Sequence, residues 1–405
     1  MNLPHAPADE AGLAAAIAAA AAAREPLSVG GNGSKAPMLR PVQAALSLST
    51  RNLTGITLHS PSELVLSARA GTPLPLIEEA LAEHGQHLSA EPPDLHALLA
   101  TDAGPTIGGT VGANLSGPRR IKAGAMRDHV LGMRAVNGEG TLIRSGGRVL
   151  KNVTGLDLCK LIAGSHGTLA VMTEITLKVL PQPERTGTVA VTGVDAATGI
   201  AALAAALGSP YAVSGAAYLP AEAASLAAVD DLAVDPGVAF ARLEEFASSV
   251  TYRAERLASE LGKFGKIRLI DDSESQALWR TIRDAMPLAA ELGEQDAVWR
   301  LSVPPSRGPH VAEAATAAGG RWFLDWGGGL VWVAATADAA HHRAITEAAR
   351  QAGGVWMLLR APASLRASLD VLPPLIPPLE RLTRRVKAAF DPVGILNPGR
   401  MYAGI

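Results

Sequence analysis

The stretch Gly30-Gly31-Asn32-Gly33-Ser34-Lys35 constrains this chain most. It follows the apolar run Pro26–Val29, which reads as a short buried strand. Glycine after a strand lets the backbone take positive φ and approach a ligand closely. Successive N–H groups in such a turn form an anion nest. Several kinds of site use such a loop. The spacing Gly31-x-Gly33-x-x-Ala36 fits a Rossmann fingerprint, but Pro37 and Pro41 interrupt the required helix. Ser49, Thr50 and Arg51 also stand where the ribose-binding acid belongs. A Walker A loop needs Gly-Lys-Ser/Thr, and the order here is Gly33-Ser34-Lys35. Taken alone, the loop is also compatible with a plain surface turn.

Two more glycine-rich stretches follow, at 106–117 and 151–168. Two glycine loops from different strands can hold a pyrophosphate from both sides, and a third strand can offer backbone groups to an adenine edge. Short strands are predicted at 46–48, 55–58 and 64–70. Thr72 is the expected N-cap of a helix running to about His84, with Pro73 at its first position. Val130–Val136 and Thr141–Arg144 pair around Asn137-Gly138, a tight-turn signal. A short helix at 156–163 carries Cys159 on its apolar side, and a strand at 169–180 is stopped by Pro181 and Pro183. Strands (188–192, 238–243, 297–303, 330–334) then alternate with Ala-rich helices (197–207, 252–261, 311–318, 341–352). A last helix, Pro378–Phe390, leads into a loop-like tail. The expected division is residues 1–183, 184–370 and 371–405.

Composition removes several function classes. Lys+Arg 36 against Asp+Glu 38 gives no electrostatic reason to expect nucleic acid. The single cysteine forbids an internal disulfide and a self-contained iron–sulfur cluster. No HExxH or CxxC occurs, so no dedicated metal site is expected. The apolar stretch Ala11–Ala23 is too short to span a bilayer and follows Asp9 and Glu10 rather than a basic region; it reads as a soluble helix.

An ordered set of motifs carries a family resemblance: GNGSKAPMLRP (31–41), ELVLSARAGTPLPLIEEAL (63–81), AEPP (90–93), LSGPRR (115–120), MRDHVLGMR (126–134), the run from Lys151 to Pro183, DWGGGL (325–330) and NPGRMYA (397–403). Together they resemble the vanillyl-alcohol-oxidase or PCMH-type FAD flavoproteins. The resemblance implies an α+β fold: a two-subdomain FAD-binding domain, a small ferredoxin-like α+β cap, and a C-terminal tail returning to the FAD domain. It implies FAD as cofactor. Gly30, Gly31, Asn32, Gly33 and Ser34 would bind its pyrophosphate. Thr106, Gly108, Gly109, Gly112 and Asn114 would line the second phosphate loop and the ribityl chain, and Ser116 and Gly117 would pass near the flavin. Glu174 and Ile175 would meet the adenine end, and Asn397 would close on the isoalloxazine region. Many relatives attach FAD through a histidine in the first loop; Gly30–Lys35 holds neither His nor Cys, so noncovalent FAD is expected.

The resemblance is strongest to flavin subunits of glycolate oxidase assemblies. It implies a D-type FAD subunit and an iron–sulfur subunit as partners, and a small 2-hydroxyacid as substrate. Electrons would pass to the iron–sulfur partner or to quinone. The chain would be cytoplasmic and reach the membrane only through its partners. A noncatalytic assembly subunit and a stand-alone FAD-dependent alcohol oxidase are the alternatives.

The chain departs from its D-type relatives in lacking their His-rich metal motif. His341-His342, adjacent on a helix, reads as solvated surface. Arg300 is the one catalytic candidate, as a holder of a substrate carboxylate, against the plainer reading of a surface or salt-bridged arginine. Trp326 with Gly327–Gly329 would line the flavin edge or simply pack in the core. The basic cluster Arg119-Arg120 with Lys122 and Arg127 would meet FAD phosphate, an acidic partner or solvent. His166 reads as incidental.

Overall fold

The structure is a computed structural model, and it describes residues 4–148, 156–227, 232 and 234–405. Lys151–Gly155, from the third glycine stretch, lie outside the described residues.

The first strand, β1 (Leu27–Gly30), pairs in parallel with β2 (Leu46–Ser49). Leu27 is also bridged by Leu396, so the tail extends this small sheet. The helix Glu10–Ala23 starts at Asp9, whose carboxylate accepts from Gly12 N. It buries Leu13, Ile17 and Ala20, at helical spacing, against Leu27, Leu48, Ile395 and Leu396.

Next come β3 (Ile56–Ser60), β4 (Val65–Arg69), the short β5 (Gln86–His87), β6 (Val130–Asn137), β7 (Leu142–Gly146), β8 (Ala170–Lys178) and β9 (Leu180–Pro181). Five of them form an antiparallel sheet in the order β3-β4-β8-β6-β7, and β5 pairs with β9. The β6–β7 hairpin closes where expected, with Gly138 and Glu139 between Asn137 and Gly140 (φ +81°). Cys159 is buried beneath it. Thr72 is not the cap of its helix. Helix Leu74–Ala82 begins after Pro73, and the Thr72 hydroxyl instead accepts from Gly55 N and donates to Arg69 O. The hydroxyl is used to fix the strand exit, so the helix start slips by one residue.

The third part is one eight-stranded antiparallel sheet: β10 (Arg185–Thr192), β11 (Gly215–Pro220), β12 (Gly237–Glu245), β13 (Lys266–Ile270), β14 (Asp296–Ser302), β15 (Arg321–Asp325), β16 (Leu330–Thr336) and β17 (Val355–Arg360). Its order is β13-β10-β12-β11-β15-β16-β14-β17. Four of these strands, β11, β13, β15 and β17, go unpredicted. They are short runs, and β11 is buried along most of its length, which periodicity alone does not distinguish from core helix. His342 is not on the surface: its Nδ1 accepts from Trp299 Nε1 at 3.1 Å inside the core. Its neighbour His341 faces Asp338 at the helix start.

Candidate FAD site

Strand β1 delivers the chain into the glycine loop at the mouth of a cavity of about 580 Å³. That lies within the usual range for small-molecule sites, ~300–1,000 Å³. Gly30–Ala36 form one wall, and Ser47–Arg51 a second. Thr106, Gly108, Gly109, Gly112 and Ala113 form a third, on and before helix Ile107–Ala113. His166, Gly167, Ala170–Met172, Asn397 and Arg400 complete it.

The loop shape depends on its glycines at two positions. Gly33 has φ +90°, where a side chain is strained. A Cβ on Gly31 would sit 2.5 Å from Thr106 Oγ1, so the two glycine stretches are in contact only because Gly31 has no side chain. Thr106 in turn caps its helix through Gly109 N. Ser49 Oγ donates to Gly31 O and accepts from Arg51 N, tying the loop to β2.

The tail closes the cavity. Asn397 is buried; its Oδ1 accepts from Val29 N at 2.7 Å, and its Nδ2 donates to Val29 O and His166 O. Arg400 donates to the carbonyls of Lys35, Ala36 and Arg40. Lys387, buried on helix Pro377–Phe390, reaches Thr168 O, Leu396 O and the Asp391 carboxylate. These bonds explain why a tail that looks like loop in sequence is rigidly placed.

The cavity is cationic. Burial holds Lys35 down to about 8 and Arg400 down to about 10. Among the described residues neither forms an ion pair with a carboxylate. Burial, with Arg400 and Lys35 adding, pushes His166 down to about 3, so its imidazole is neutral. His166 is therefore part of the wall rather than incidental. A pyrophosphate needs close backbone, polar hydrogens and compensating positive charge. Gly31, Gly33, Lys35 and Arg400 supply these, and the residues fit FAD.

The other expected contacts fall elsewhere. Asn114 and Ser116 follow the helix but do not line the cavity; their oxygens accept from Arg127 N and Met126 N. Gly117 O accepts from Trp326 Nε1 at 3.1 Å. Ile175 is fully buried and, with Glu174, pairs with β4 and β6. It is Ala170–Met172, at the start of the same strand, that meet the cavity.

Arg119 is half-buried and paired within the protein. It grips Glu244 through Nε (2.9 Å) and Nη2 (2.6 Å). Glu91 accepts from both terminal nitrogens of Arg242, at 2.8 and 2.9 Å, and from Arg119 N. This four-charge network joins the loops at 91 and 119 to β12. Burial raises Glu91, but Arg242 and then Arg119 outweigh it and hold the carboxyl low. Burial, then Arg119, push the adjoining His87 down to about 4. Nothing in the local sequence announces this network, because its members are separated by up to 153 positions (Glu91 to Glu244).

Arg300, half-buried on β14, is neither at the surface nor salt-bridged: its guanidinium lies 4.8 Å from the Trp326 ring centroid and 5.7 Å from that of Trp332. Trp326 is itself buried, with φ +55°.

Comparison with known proteins agrees with the cavity. Residues 5–146 match the family described as "FAD binding domain", and residues 377–401 match "FAD linked oxidases, C-terminal domain". The chain is 35% identical to the glycolate oxidase subunit GlcE of Escherichia coli (strain K12) over 94% of its own length and 93% of that protein's. The chain belongs to the FAD-linked oxidase family. Its cofactor is FAD, and its fold is the α+β, PCMH-type fold. A shorter match, 42% identical over 23% of this chain and 19% of the other, is to the glycolate oxidase subunit GlcD of Bacillus subtilis (strain 168). In three dimensions the chain is similar to p-cresol methylhydroxylase, with a TM-score of 0.73, 13% identity, and coverage of 98% of this chain and 88% of the other. The family acts as FAD-dependent oxidoreductases. No helix among the described residues is long and apolar enough to cross a membrane.

Proposed function

We propose that this chain is the FAD-binding subunit of a glycolate oxidase. In that role it shares the oxidation of a small 2-hydroxyacid with a D-type FAD subunit and passes electrons to an iron–sulfur subunit or to quinone. The observation that carries the reading is end-to-end likeness to GlcE together with a cationic, glycine-walled cavity. FAD supplies the acceptor for two electrons and a proton from the CH–OH carbon.

The chain's own residues hold and orient. Gly30–Ser34 present backbone to the pyrophosphate, Lys35 and Arg400 balance its charge, and Asn397 locks the tail over β1. Thr106, Gly108, Gly109 and Gly112 line the other wall. Asn114, Ser116 and Gly117 shape the loop that leads from this wall toward Trp326. Glu174 and Ile175 act through the strand they hold in register rather than by contact with the adenine. Residues 1–183 and 371–405 form the FAD unit, and 184–370 the cap.

FAD is held noncovalently. Acid precipitation of the purified protein is expected to leave a colourless pellet and a yellow supernatant; yellow that stays with the polypeptide overturns this. Affinity purification of the native complex, followed by cofactor and iron analysis, tests the assembly. Recovery of the chain alone, with full glycolate turnover on a dye acceptor, would sink the division of labour.

A further inference from the structure

Arg120 and Arg300 come from opposite halves of the molecule and both pack on one indole. Their guanidinium carbons each lie 4.8 Å from the Trp326 ring centroid. Arg120 opens the short helix Arg120–Ala123, three residues after Gly117, and Arg300 sits mid-strand in β14 opposite Trp332. Trp326 is pinned by its indole bond to Gly117 O and by a bond from its own N to Asp325 Oδ1 at 2.7 Å.

Neither guanidinium has a hydrogen-bond acceptor or a carboxylate partner among the described residues. Their neighbours do: Arg119 holds Glu244, Arg242 holds Glu91, and Arg283 holds Asp284. Burial and then the proximity of Arg120 hold Arg300 down to about 10, so the two cations repel each other. Asp325 gives little relief. Its buried carboxyl is pushed up to about 7, first by burial, and makes no ion pair with Arg300. An aromatic face stabilises a guanidinium without occupying its N–H edge. That leaves two planar forks free beside the loop that runs from the cavity wall at Gly112 and Ala113.

We propose that Arg120 and Arg300, stacked on Trp326, form the seat for the carboxylate of a small 2-hydroxyacid. A carboxylate matches the guanidinium fork and neutralises the repulsion. The seat is assembled from both halves, so it exists only when the cap is docked. This rests on the 2-hydroxyacid reading above.

The test is calorimetric titration of the full-length, FAD-loaded chain with glycolate and with oxalate, against the neutral analogue glycolamide. Saturable binding of the two anions and none of glycolamide is expected. Arg300→Met and Arg120→Met should each weaken oxalate by about tenfold or more, with Arg300→Lys intermediate. Visible flavin absorbance of each variant checks that fold and cofactor persist. Oxalate affinity unchanged in flavin-loaded Arg120→Met and Arg300→Lys overturns the seat, as does a wild-type chain that binds no carboxylate. A colourless protein would count against the FAD reading, and its oxalate titration would still decide the seat.

Discussion

At the scale of single residues, the site turns on missing or misplaced side-chain atoms. Gly31 and Thr106 approach so closely that one methyl group fills the gap. Gly31→Ala is expected to lower FAD affinity by about tenfold or more, from overpacking on the order of 1–3 kcal/mol. Thr106→Ala in the same chain should recover part of the loss, because it removes the atom that clashes. Fluorescence titration of the apoprotein with FAD reads both effects. His87 makes a different prediction. Its folded pKa of about 4 lies below the unfolded value of about 6.5. The unfolded chain therefore binds the proton first, and the stability His87 contributes is lost as pH falls from about 6.5 toward 4. In His87→Gln, the slope of melting temperature against pH across that window should be shallower than in wild type; an equal slope would reject the assignment.

At the scale of elements, the ion network between the loops at 91 and 119 and strand β12 couples the two halves. Both carboxylates are buried and held low by arginines. Removing one partner leaves a charge without compensation, so Glu91→Gln should destabilise by about 3–5 kcal/mol in urea unfolding. That cost is far above what an exposed pair such as Glu347–Arg350 contributes, whose loss should be barely measurable. Strand and helix positions were legible wherever periodicity and turn residues agreed, as in the β6–β7 hairpin and helix Pro377–Phe390. They were illegible where a polar side chain had two options, as with Thr72, or where a strand is buried along most of its length, as with β11. Arg119 was misread for a related reason: its partner Glu244 lies 125 positions away.

At the scale of the whole molecule, the tail is a working part of the FAD site. Residues 391–405 contribute Asn397, Arg400 and the Leu396 bridge to β1. A chain ending at Phe390 is expected to purify without flavin while keeping most of its far-ultraviolet dichroism, since the two large sheets lie before that point. The sequence by itself determined the cofactor class, through the ordered motifs that carry the family resemblance, and it placed the two glycine walls, because glycine at those positions reports a close backbone approach. Only the tertiary structure decided that His166 and Arg400 join those walls, that Arg119 belongs to an ion network, and that Arg120 and Arg300 share one indole. Contacts of that kind depend on where distant strands come to lie. Local propensity and motif spacing carry no record of such distances.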